Sequence, residues 1–344
     1  MEEEKLTIVV YGAGAIGSTL AGWLFPHINN LYLLARGDNA KFMKKKGLIL
    51  YHGENDNPEP IPIKIIEDLG ELSNIDIVLI AVKNYDLEQV SKDIVEKVGD
   101  KAIIVGLQNG MENQSILPKY FSKIVYCVIM FSAWKDGPGV FGYREKGQLV
   151  IGTPNNENLE LLEKISLILK NAISTKISKK FNDAVHSKMI INLLNSVYTL
   201  IDFNLEDPNK IPKLRDIFYS TMCEGIDIVS AAGFKEHRMY GPSWKGIQLA
   251  LQIPLEKSLE NFKDMLKYGQ SNSMMQDIIT HQRNKSELES LTGYFIQLAN
   301  KYHLKAPYNG AIYDLAKVQF SKVPFEQLDV DIVWDEINKR KKEV

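Results

Sequence analysis

The clearest chemical pattern in this chain of 344 residues lies close to its start, in the segment Tyr11–Gly17. Six of its residues fit the spacing G-x-G-x-x-G: Gly12-Ala13-Gly14-Ala15-Ile16-Gly17. In such a loop the first glycine permits a tight turn, the second lets the backbone approach a pyrophosphate, and the third lets helix and strand pack closely. Because the loop follows the apolar run Leu6–Val10 and precedes an amphipathic segment, we expect it to bind a nicotinamide dinucleotide at a helix N-terminus.

The end of the second apolar run, Leu31–Leu34, bears on which dinucleotide binds. An NAD site usually places Asp or Glu here for the ribose hydroxyls, whereas this chain has Ala35 followed by Arg36. A guanidinium suits the 2′-phosphate of NADP(H). We therefore expect NADP(H) as cofactor, with NAD(H) as the alternative because Asp38 follows closely.

A polar stripe crosses a strongly apolar segment in the second half of the chain. Within Ala184–Ile201, one narrow helical face carries Lys188, Asn192, Asn195 and Thr199, at i, i+4, i+7 and i+11. A buried lysine or amide is costly unless it has a partner. We expect the stripe to line a cleft; the alternative is the solvated face of a surface helix.

Two later segments are also polar. Ser271–Asp277 combines small hydroxyls, amides and a carboxylate, and Glu287 and Glu289 follow about ten residues further on. A carboxylate from this region is a candidate partner that would keep Lys188 charged.

The elements that must position these residues change in character near residue 180. Before it, short apolar runs alternate with helical segments, which is typical of a parallel sheet. The predicted strands, with Gly137–Gly147 as a turn region, are Leu6–Val10, Leu31–Leu34, Ile77–Val82, Ala102–Leu107, Ile124–Phe131 and Gln148–Ile151. After residue 180, helical patterns continue between breaks such as Pro208 and Pro212. We expect an α/β fold, with a Rossmann-like doubly wound parallel sheet at residues 1–180 and an all-α domain at residues 181–344.

Composition excludes several other classes. The formal net charge of −2 gives no electrostatic argument for a nucleic-acid or membrane surface. Two cysteines, Cys127 and Cys223, form neither a disulfide framework nor a metal-ligand set, so we expect no metal. The acidic residues 1–5 are unlike a signal peptide, and no apolar run approaches the roughly 20 residues that cross a bilayer. We expect a cytoplasmic protein with a small-molecule substrate.

Several short segments, taken in order, resemble the ketopantoate reductases (2-dehydropantoate 2-reductases). They are Gly12–Gly17, Ala35-Arg36-Gly37, Ala81-Val82-Lys83, Leu107–Met111, Lys188–Asn192, Ser273–Asp277 and Glu287 six residues before Gly293. The resemblance implies a Rossmann domain followed by a helical domain, with the substrate bound between them. It also implies reduction of the ketone of 2-dehydropantoate to pantoate by NADPH, a step towards pantothenate and coenzyme A.

The resemblance also implies roles for individual residues. Lys188 would donate the proton, and Glu287 would lie near the lysine and the cofactor. Asn192 and Ser273 would hold the substrate, which is a 2-oxo acid. The remaining cofactor contacts would come from Arg36, Lys83, Asn109 (which would touch both ligands) and the backbone of Ala133.

One position departs from the family pattern. The family usually has a second asparagine eight residues after the lysine, where this chain has Ser196, with Asn195 one place earlier. On a helical wheel Asn195 lies about 20° from Lys188 and Ser196 about 80° away. Both are candidate substrate-binding residues, and the departure leaves a different 2-oxo acid open as substrate.

Two other functions remain as alternatives. A 3-hydroxyacid dehydrogenase would also place lysine and asparagine together on a long helix after a Rossmann domain. An NADPH-binding sensor without turnover would keep the fold but lose the chemistry. A homodimer is a further hypothesis, with Phe218–Met222 and Phe262–Tyr268 as apolar segments that form either its interface or the core.

Overall fold

The computed structural model describes residues 6–53, 58–203, 205, 207–238, 241–269, 272–280 and 285–343. The acidic residues 1–5 and Ser271 of the polar segment lie outside the described residues. The chain divides into two compact units, Met1–Phe181 and Asn182–Val344.

The first unit alternates strands with helices. Its strands are β1 (Ile8–Tyr11), β2 (Leu31–Leu34), β3 (Ile49–His52), β4 (Lys64–Ile66), β5 (Ile77–Ile80), β6 (Ile103–Gly106), β7 (Ile124–Ile129), β8 (Ala133–Gly137), β9 (Val140–Tyr143), β10 (Gln148–Gly152) and β11 (Ser174–Ile177). Its helices are α1 (Ala15–Leu24), α2 (Gly37–Lys46), α3 (Asn84–Val98), α4 (Asn113–Ile116) and α5 (Leu159–Lys170).

Eight of these strands form one sheet in the order β11-β10-β7-β6-β5-β1-β2-β4. The predicted apolar runs are its central strands, and every residue of β1, β5, β6, β7 and β10 is buried. Neighbouring strands are parallel except for β7 and β10. The connection from β7 to β10, residues 130–147, forms the β8–β9 hairpin of a second sheet rather than a crossover helix, and β10 runs antiparallel to β7. The predicted α/β fold with a doubly wound parallel sheet is confirmed, with this one reversal.

The region Gly137–Gly147, predicted as a turn, contains a strand. A second sheet has the order β3-β9-β8, and the β8–β9 hairpin turns at Gly139, where φ is +71°. Gly142 lies inside β9. Its lack of a side chain is needed there, because a Cβ would meet the ring of Trp134 at 2.4 Å. Gly139 therefore marks a turn, whereas Gly142 marks a tight ring contact inside a strand. The prediction of a turn over the whole region was wrong.

The second unit is helical, as predicted. Its helices are α6 (Phe181–Leu200, whose first residue belongs to the first unit), α7 (Lys210–Ala231), α8 (Trp244–Ala250), α9 (Leu255–Gly269), α10 (Ser273–Met275), α11 (Tyr294–Lys301), α12 (Pro307–Gln319) and α13 (Val330–Lys342). Gln276–Thr280 and Glu289–Gly293 are π-helical. Within the described residues of this unit, the only β pairing is an isolated bridge between Ile201 and Leu328.

Two details of the helical unit correct or settle predictions. Pro212 does not break a helix, because it lies in the first turn of α7, where a missing N–H costs no intrahelical bond. Phe218 and Phe262, from the two apolar segments, are buried with ring centroids 5.8 Å apart. These residues belong to the core rather than to an exposed dimer face.

None of the helices in the described part of the chain has the length and hydropathy to cross a bilayer.

Candidate active site

The glycine loop connects β1 to α1, and its three glycines have different surroundings. Gly12 has φ +114°, a conformation that L side chains rarely adopt. A Cβ on Gly17 would lie 2.0 Å from the carbonyl oxygen of Gly12, so only glycine fits there. A Cβ on Gly14 would meet no protein atom within 4 Å. The open space beside Gly14 leaves room for a ligand to approach the backbone.

The other predicted cofactor residues follow strands that are neighbours in the sheet. The order β6-β5-β1-β2 places Asn109, Lys83, the glycine loop and Arg36 after successive parallel strands. Carboxyl ends of parallel strands share one edge, which is where doubly wound sheets bind dinucleotides. Open space at Gly14, an N-cap on α1 with no side chain and cations at both sides of the loop fit a dinucleotide.

Two buried amides shape the loop that carries Asn109. Asn84 donates from Nδ2 to the Asn109 carbonyl oxygen at 2.7 Å, and Gln108 donates from Nε2 to the Ile80 carbonyl oxygen at 2.7 Å. The side-chain oxygens of Asn84 and Gln108 are buried and accept no hydrogen bond within the described part of the chain. Both amides therefore hold the backbone at this edge and keep an acceptor available there.

Arg36 lies at the N-terminus of α2 and contacts residues from three other segments. Its Nη2 donates to the Tyr11 hydroxyl at 3.2 Å and lies 3.5 Å from Oδ2 of Asp93, while Nε donates weakly to the Glu67 carbonyl oxygen at 3.4 Å. The side chain remains 59% exposed. Asp38, which left NAD(H) open, is solvent-exposed and pairs with Lys41 at 3.7 Å.

Ala133 begins strand β8 of the small sheet rather than the main one. Asn39 of α2 fixes the hairpin to the glycine loop, because its Nδ2 donates to the Ala13 carbonyl oxygen and its Oδ1 accepts from the Gly139 N–H, both at 3.1 Å. Trp23 of α1 also packs edge-on against Tyr143 of β9, with ring centroids 5.0 Å apart. These contacts place Ala133 on an element that adjoins the glycine loop.

In the helical unit, Lys188 lies near the middle of α6 and is mostly buried. Burial lowers its pKa to about 8, because the desolvated ammonium loses hydration. No carboxylate among the described residues of this unit forms an ion pair with it or raises its pKa. The expected offset of desolvation by Glu287 therefore does not operate in this structure.

The other members of the stripe divide into two kinds. Asn192, one turn after Lys188, is buried, and its Nδ2 donates to no described residue. Asn195 is partly exposed, whereas Thr199 is fully buried and donates to the Asn195 carbonyl oxygen at 2.8 Å. Lys188 and Asn192 thus keep donors available on one face of α6, while the hydroxyl of Thr199 is engaged by its own helix.

Ser196 points away from that face. It is fully buried, its hydroxyl shares a 2.7 Å hydrogen bond with the Thr292 hydroxyl, and its Oγ lies 3.7 Å from the Met274 sulfur. Its hydroxyl joins α6 to the two segments that carry Ser273 and Glu287, and the expected substrate contact of Ser196 stays a prediction.

Those two segments adjoin the π-helical turns. Ser273 is the first residue of α10, whose N-cap Asn272 accepts from the Met274 and Met275 N–H groups at 3.0 and 3.1 Å. Glu287 is buried just before Glu289–Gly293. Glu289 instead faces α12, where the Tyr313 hydroxyl donates to it at 2.7 Å, so this residue is no partner for Lys188.

A neutral histidine anchors α6 near Lys188. His186 is fully buried, stacks on Phe234 and contacts the Asn182 carbonyl oxygen and the Tyr294 hydroxyl, both at 2.7 Å. Burial lowers its pKa to about 4. Because a carbonyl only accepts, Nδ1 donates to Asn182 and Nε2 accepts from Tyr294.

The sequence analysis did not single out three residues that contact predicted cofactor-binding residues: Tyr11, Asp93 and Asn39. Tyr11 was noted only as the start of the glycine loop, and neither Asp93 nor Asn39 was singled out. The signal for Asn39 was an amide three residues after Arg36, which is too common to be specific. Tyr11 and Asp93 are separated by 82 residues, and no local pattern connects them.

Two family models match the chain. The model described as ketopantoate reductase PanE/ApbA matches residues 8–156, and the model described as ketopantoate reductase PanE/ApbA C terminal matches residues 180–319. A 2-dehydropantoate 2-reductase of Pyrococcus abyssi (strain GE5 / Orsay) is 24% identical over 319 residues, which are 91% of this chain and 97% of that protein.

Solved structures share the fold. A PanE/ApbA family ketopantoate reductase from Ralstonia eutropha JMP134 superposes with a TM-score of 0.69 at 21% identity, covering 97% of this chain and 100% of that one. D-mandelate dehydrogenase, solved with NADH, gives a TM-score of 0.70 at 18% identity, covering 92% of this chain and 99% of that one.

Proposed function

The chain belongs to the ketopantoate reductase family, and we propose that it reduces the 2-oxo group of 2-dehydropantoate to (R)-pantoate with NADPH. It is an oxidoreductase that acts on a CH–OH group with a nicotinamide cofactor. The proposal concerns its substrate, its choice of NADPH and the residues that carry the chemistry.

The observation that carries the proposal is the state of Lys188. Its pKa of about 8 means that the ammonium is mostly protonated at neutral pH yet can release its proton. Reduction of a ketone places negative charge on the carbonyl oxygen, which a nearby cation stabilises and protonates. We assign Lys188 as the proton donor, and the unpartnered Nδ2 of Asn192 as a hydrogen-bond donor to the substrate.

The remaining roles follow from chemistry and placement. Ser273 and the partly exposed Asn195 are proposed to bind substrate, and Glu287 to act beside Lys188 and the cofactor. When bound, the reduced nicotinamide supplies the hydride. The glycine loop, Lys83, Asn109 and Ala133 are proposed to bind and orient that cofactor.

Arg36 supports NADPH rather than NADH. Its guanidinium is exposed beyond β2, where an NAD-binding protein usually has a carboxylate, and Asp38 points to solvent and pairs with Lys41. A guanidinium binds phosphate through several N–H groups at once.

Reduction of a different 2-oxo acid is the second candidate. The position at which the resembling family has its second asparagine is Ser196, whose hydroxyl is engaged by Thr292 rather than available to a ligand. A substrate that needs fewer polar contacts than 2-dehydropantoate would fit that arrangement.

NADPH absorbance, followed with a panel of acids, tests both candidates. The panel contains 2-dehydropantoate, its analogue that lacks only the hydroxyl, the aromatic phenylglyoxylate, and a 3-hydroxy acid with NADP⁺. We expect kcat/KM for 2-dehydropantoate to exceed that for the deoxy analogue at least about tenfold, because a site built for a hydroxyl rejects ligands without it.

Each other outcome has a definite meaning. A deoxy analogue that reacts equally well would favour the broader 2-oxo acid reductase. Turnover of the 3-hydroxy acid alone would favour the dehydrogenase alternative. Tight NADPH binding without any turnover would contradict catalysis and favour a sensor.

A further inference from the structure

A tyrosine directly precedes the first glycine of the loop, and the Arg36 guanidinium lies over its ring. Tyr11 ends β1 and is buried, with only 4% of its surface exposed. The Arg36 guanidinium carbon lies 5.8 Å from the centre of its ring. The Arg36 Nη2 donates to its hydroxyl at 3.2 Å. The ring and the hydroxyl therefore both contact the proposed phosphate-binding cation.

The same hydroxyl binds a carboxylate on the other side. It donates to Oδ2 of Asp93, on α3, at 2.6 Å, and the Lys97 ammonium lies 2.8 Å from the other oxygen of that carboxylate. Burial raises the pKa of Asp93, but hydrogen bonds from Lys97 and Tyr11 outweigh it and lower the pKa overall. Burial and the bond to Asp93 raise the pKa of Tyr11 to about 12, so the phenol keeps its proton.

The Tyr11 hydroxyl thus lies between a cation and an anion that attract each other. Arg36 Nη2 and Asp93 Oδ2 are 3.5 Å apart, beyond the roughly 2.7–3.2 Å of a hydrogen bond. The contacts with Tyr11 and Glu67 involve two of the five N–H groups that a guanidinium carries. Arg36 is thus held in place by Tyr11 and Glu67 and forms an ion pair with Asp93, but it donates no hydrogen bond to that carboxylate.

We propose that the Tyr11 hydroxyl determines the preference for a 2′-phosphorylated nucleotide, by keeping the Arg36 guanidinium from forming a hydrogen-bonded ion pair with Asp93. This inference rests on the proposed use of NADPH. Without the hydroxyl, Arg36 moves onto Asp93, and a 2′-phosphate must compete with that carboxylate. With it, the guanidinium is preorganised, which lowers the cost of binding.

Two nucleotides that differ only in the 2′-phosphate provide the test. We would measure by calorimetry the binding of adenosine 2′,5′-bisphosphate and of 5′-AMP to the full-length protein. In Tyr11→Phe the ring stays and the hydroxyl is lost. We expect the Kd of the bisphosphate to rise roughly three- to fivefold, the scale of a partly exposed ion pair, with less than a twofold change for 5′-AMP.

Removing the Asp93 carboxylate, which competes with the phosphate for Arg36, should restore the affinity for the bisphosphate. In Tyr11→Phe/Asp93→Asn we expect the bisphosphate affinity to lie within twofold of that of the unsubstituted protein, because residue 93 then has no carboxylate that could pair with Arg36. Asp93→Asn alone should bind the bisphosphate at least as tightly as the unsubstituted protein. It also keeps the proposal testable if Tyr11→Phe fails to fold. Tyr32→Phe is the matched control, since Tyr32 lies on the neighbouring strand with its ring near Lys64.

The outcomes separate the inference from the proposed function. Unchanged bisphosphate affinity in Tyr11→Phe, equal losses for both nucleotides, or no recovery in the double variant would each overturn the inference alone. If the unsubstituted protein bound both nucleotides equally, the proposed NADPH preference would fail, and the inference with it.

Discussion

Arg36 in the first unit and Lys188 in the second are two cations to which we assign functions, and they are held in opposite ways. Arg36 is largely exposed and contacts Tyr11, Asp93 and a backbone carbonyl. Lys188 is mostly buried, and its pKa falls to about 8 with no offset from a carboxylate. One cation is held by neighbours in the presence of solvent, and the other is desolvated with few polar neighbours.

The difference matches what each cation is proposed to do. A cation that binds phosphate works best if it stays charged at every pH, and a guanidinium meets that need. A cation that donates a proton must also release it, so its pKa should lie near the working pH. Desolvation supplies that shift for Lys188, whereas an ion pair with a carboxylate would have reversed it.

The largest expected effect is the loss of the proton donor. In Lys188→Ala we expect kcat to fall by about 10²–10⁴-fold, the usual contribution of a positioned general acid, with NADPH binding within twofold. Steady-state kinetics and nucleotide fluorescence measure the two quantities. Lys257→Ala, at an exposed lysine of the same unit, is the control. Retained turnover would show that Lys188 does not donate the proton.

Loss of the phosphate-binding cation should affect binding instead. In Arg36→Met we expect the Kd of NADPH to rise about 10- to 100-fold, the scale of charge-assisted hydrogen bonds, and that of NADH to change less than twofold. Lys41→Met, on the same helix and 81% exposed, is the matched control. Equal losses for NADPH and NADH would contradict the assignment of Arg36 to the 2′-phosphate.

The smallest effect is the pH dependence of the unsubstituted protein. Only protonated Lys188 donates, so kcat/KM for reduction should fall about tenfold per pH unit above pH 8, as the amine loses its proton. The reverse oxidation should rise through the same pH, because the neutral amine then accepts the proton. His186, whose pKa is about 4, stays neutral and does not contribute.

This profile also tests the electrostatic difference between the two cations. A break displaced towards 10.5, the ordinary pKa of lysine, would mean that a carboxylate supports Lys188 in the complex. Lys188, like Arg36, would then be a cation paired with a carboxylate. No change in rate above pH 8 would remove proton transfer by Lys188 from the mechanism.

The central fold was predictable because its signals are local. Continuous apolar runs are typical of strands buried on both faces, and the runs at β1, β5, β6, β7 and β10 are such strands. The strands of the small sheet were missed because they are short and only partly buried, and β9 contains a glycine that indicated a turn. The antiparallel direction of β10 has no signal in its own apolar residues, which resemble those of the parallel strands.

The candidate site was predictable wherever neighbouring residues share one element. Lys188 and Asn192 lie one turn apart, so their common face follows from helical geometry. Ser196 was assigned to substrate because of its position in the family pattern, but a hydroxyl 96 residues away determines its environment. The two π-helical turns beside Ser273 and Glu287 carry no sequence signal that we used.

The sequence by itself determined the glycine loop, the strand before it, the Arg36 position and the polar face of α6, because each depends on residues within a few turns or a few positions. The tertiary structure alone decided that the Tyr11 hydroxyl contacts both Arg36 and Asp93, that Ser196 faces Thr292, and that Lys188 is desolvated. Each of these depends on groups far apart in the chain, and burial, which shifts a pKa or leaves an amide without a partner, exists only after the chain has folded.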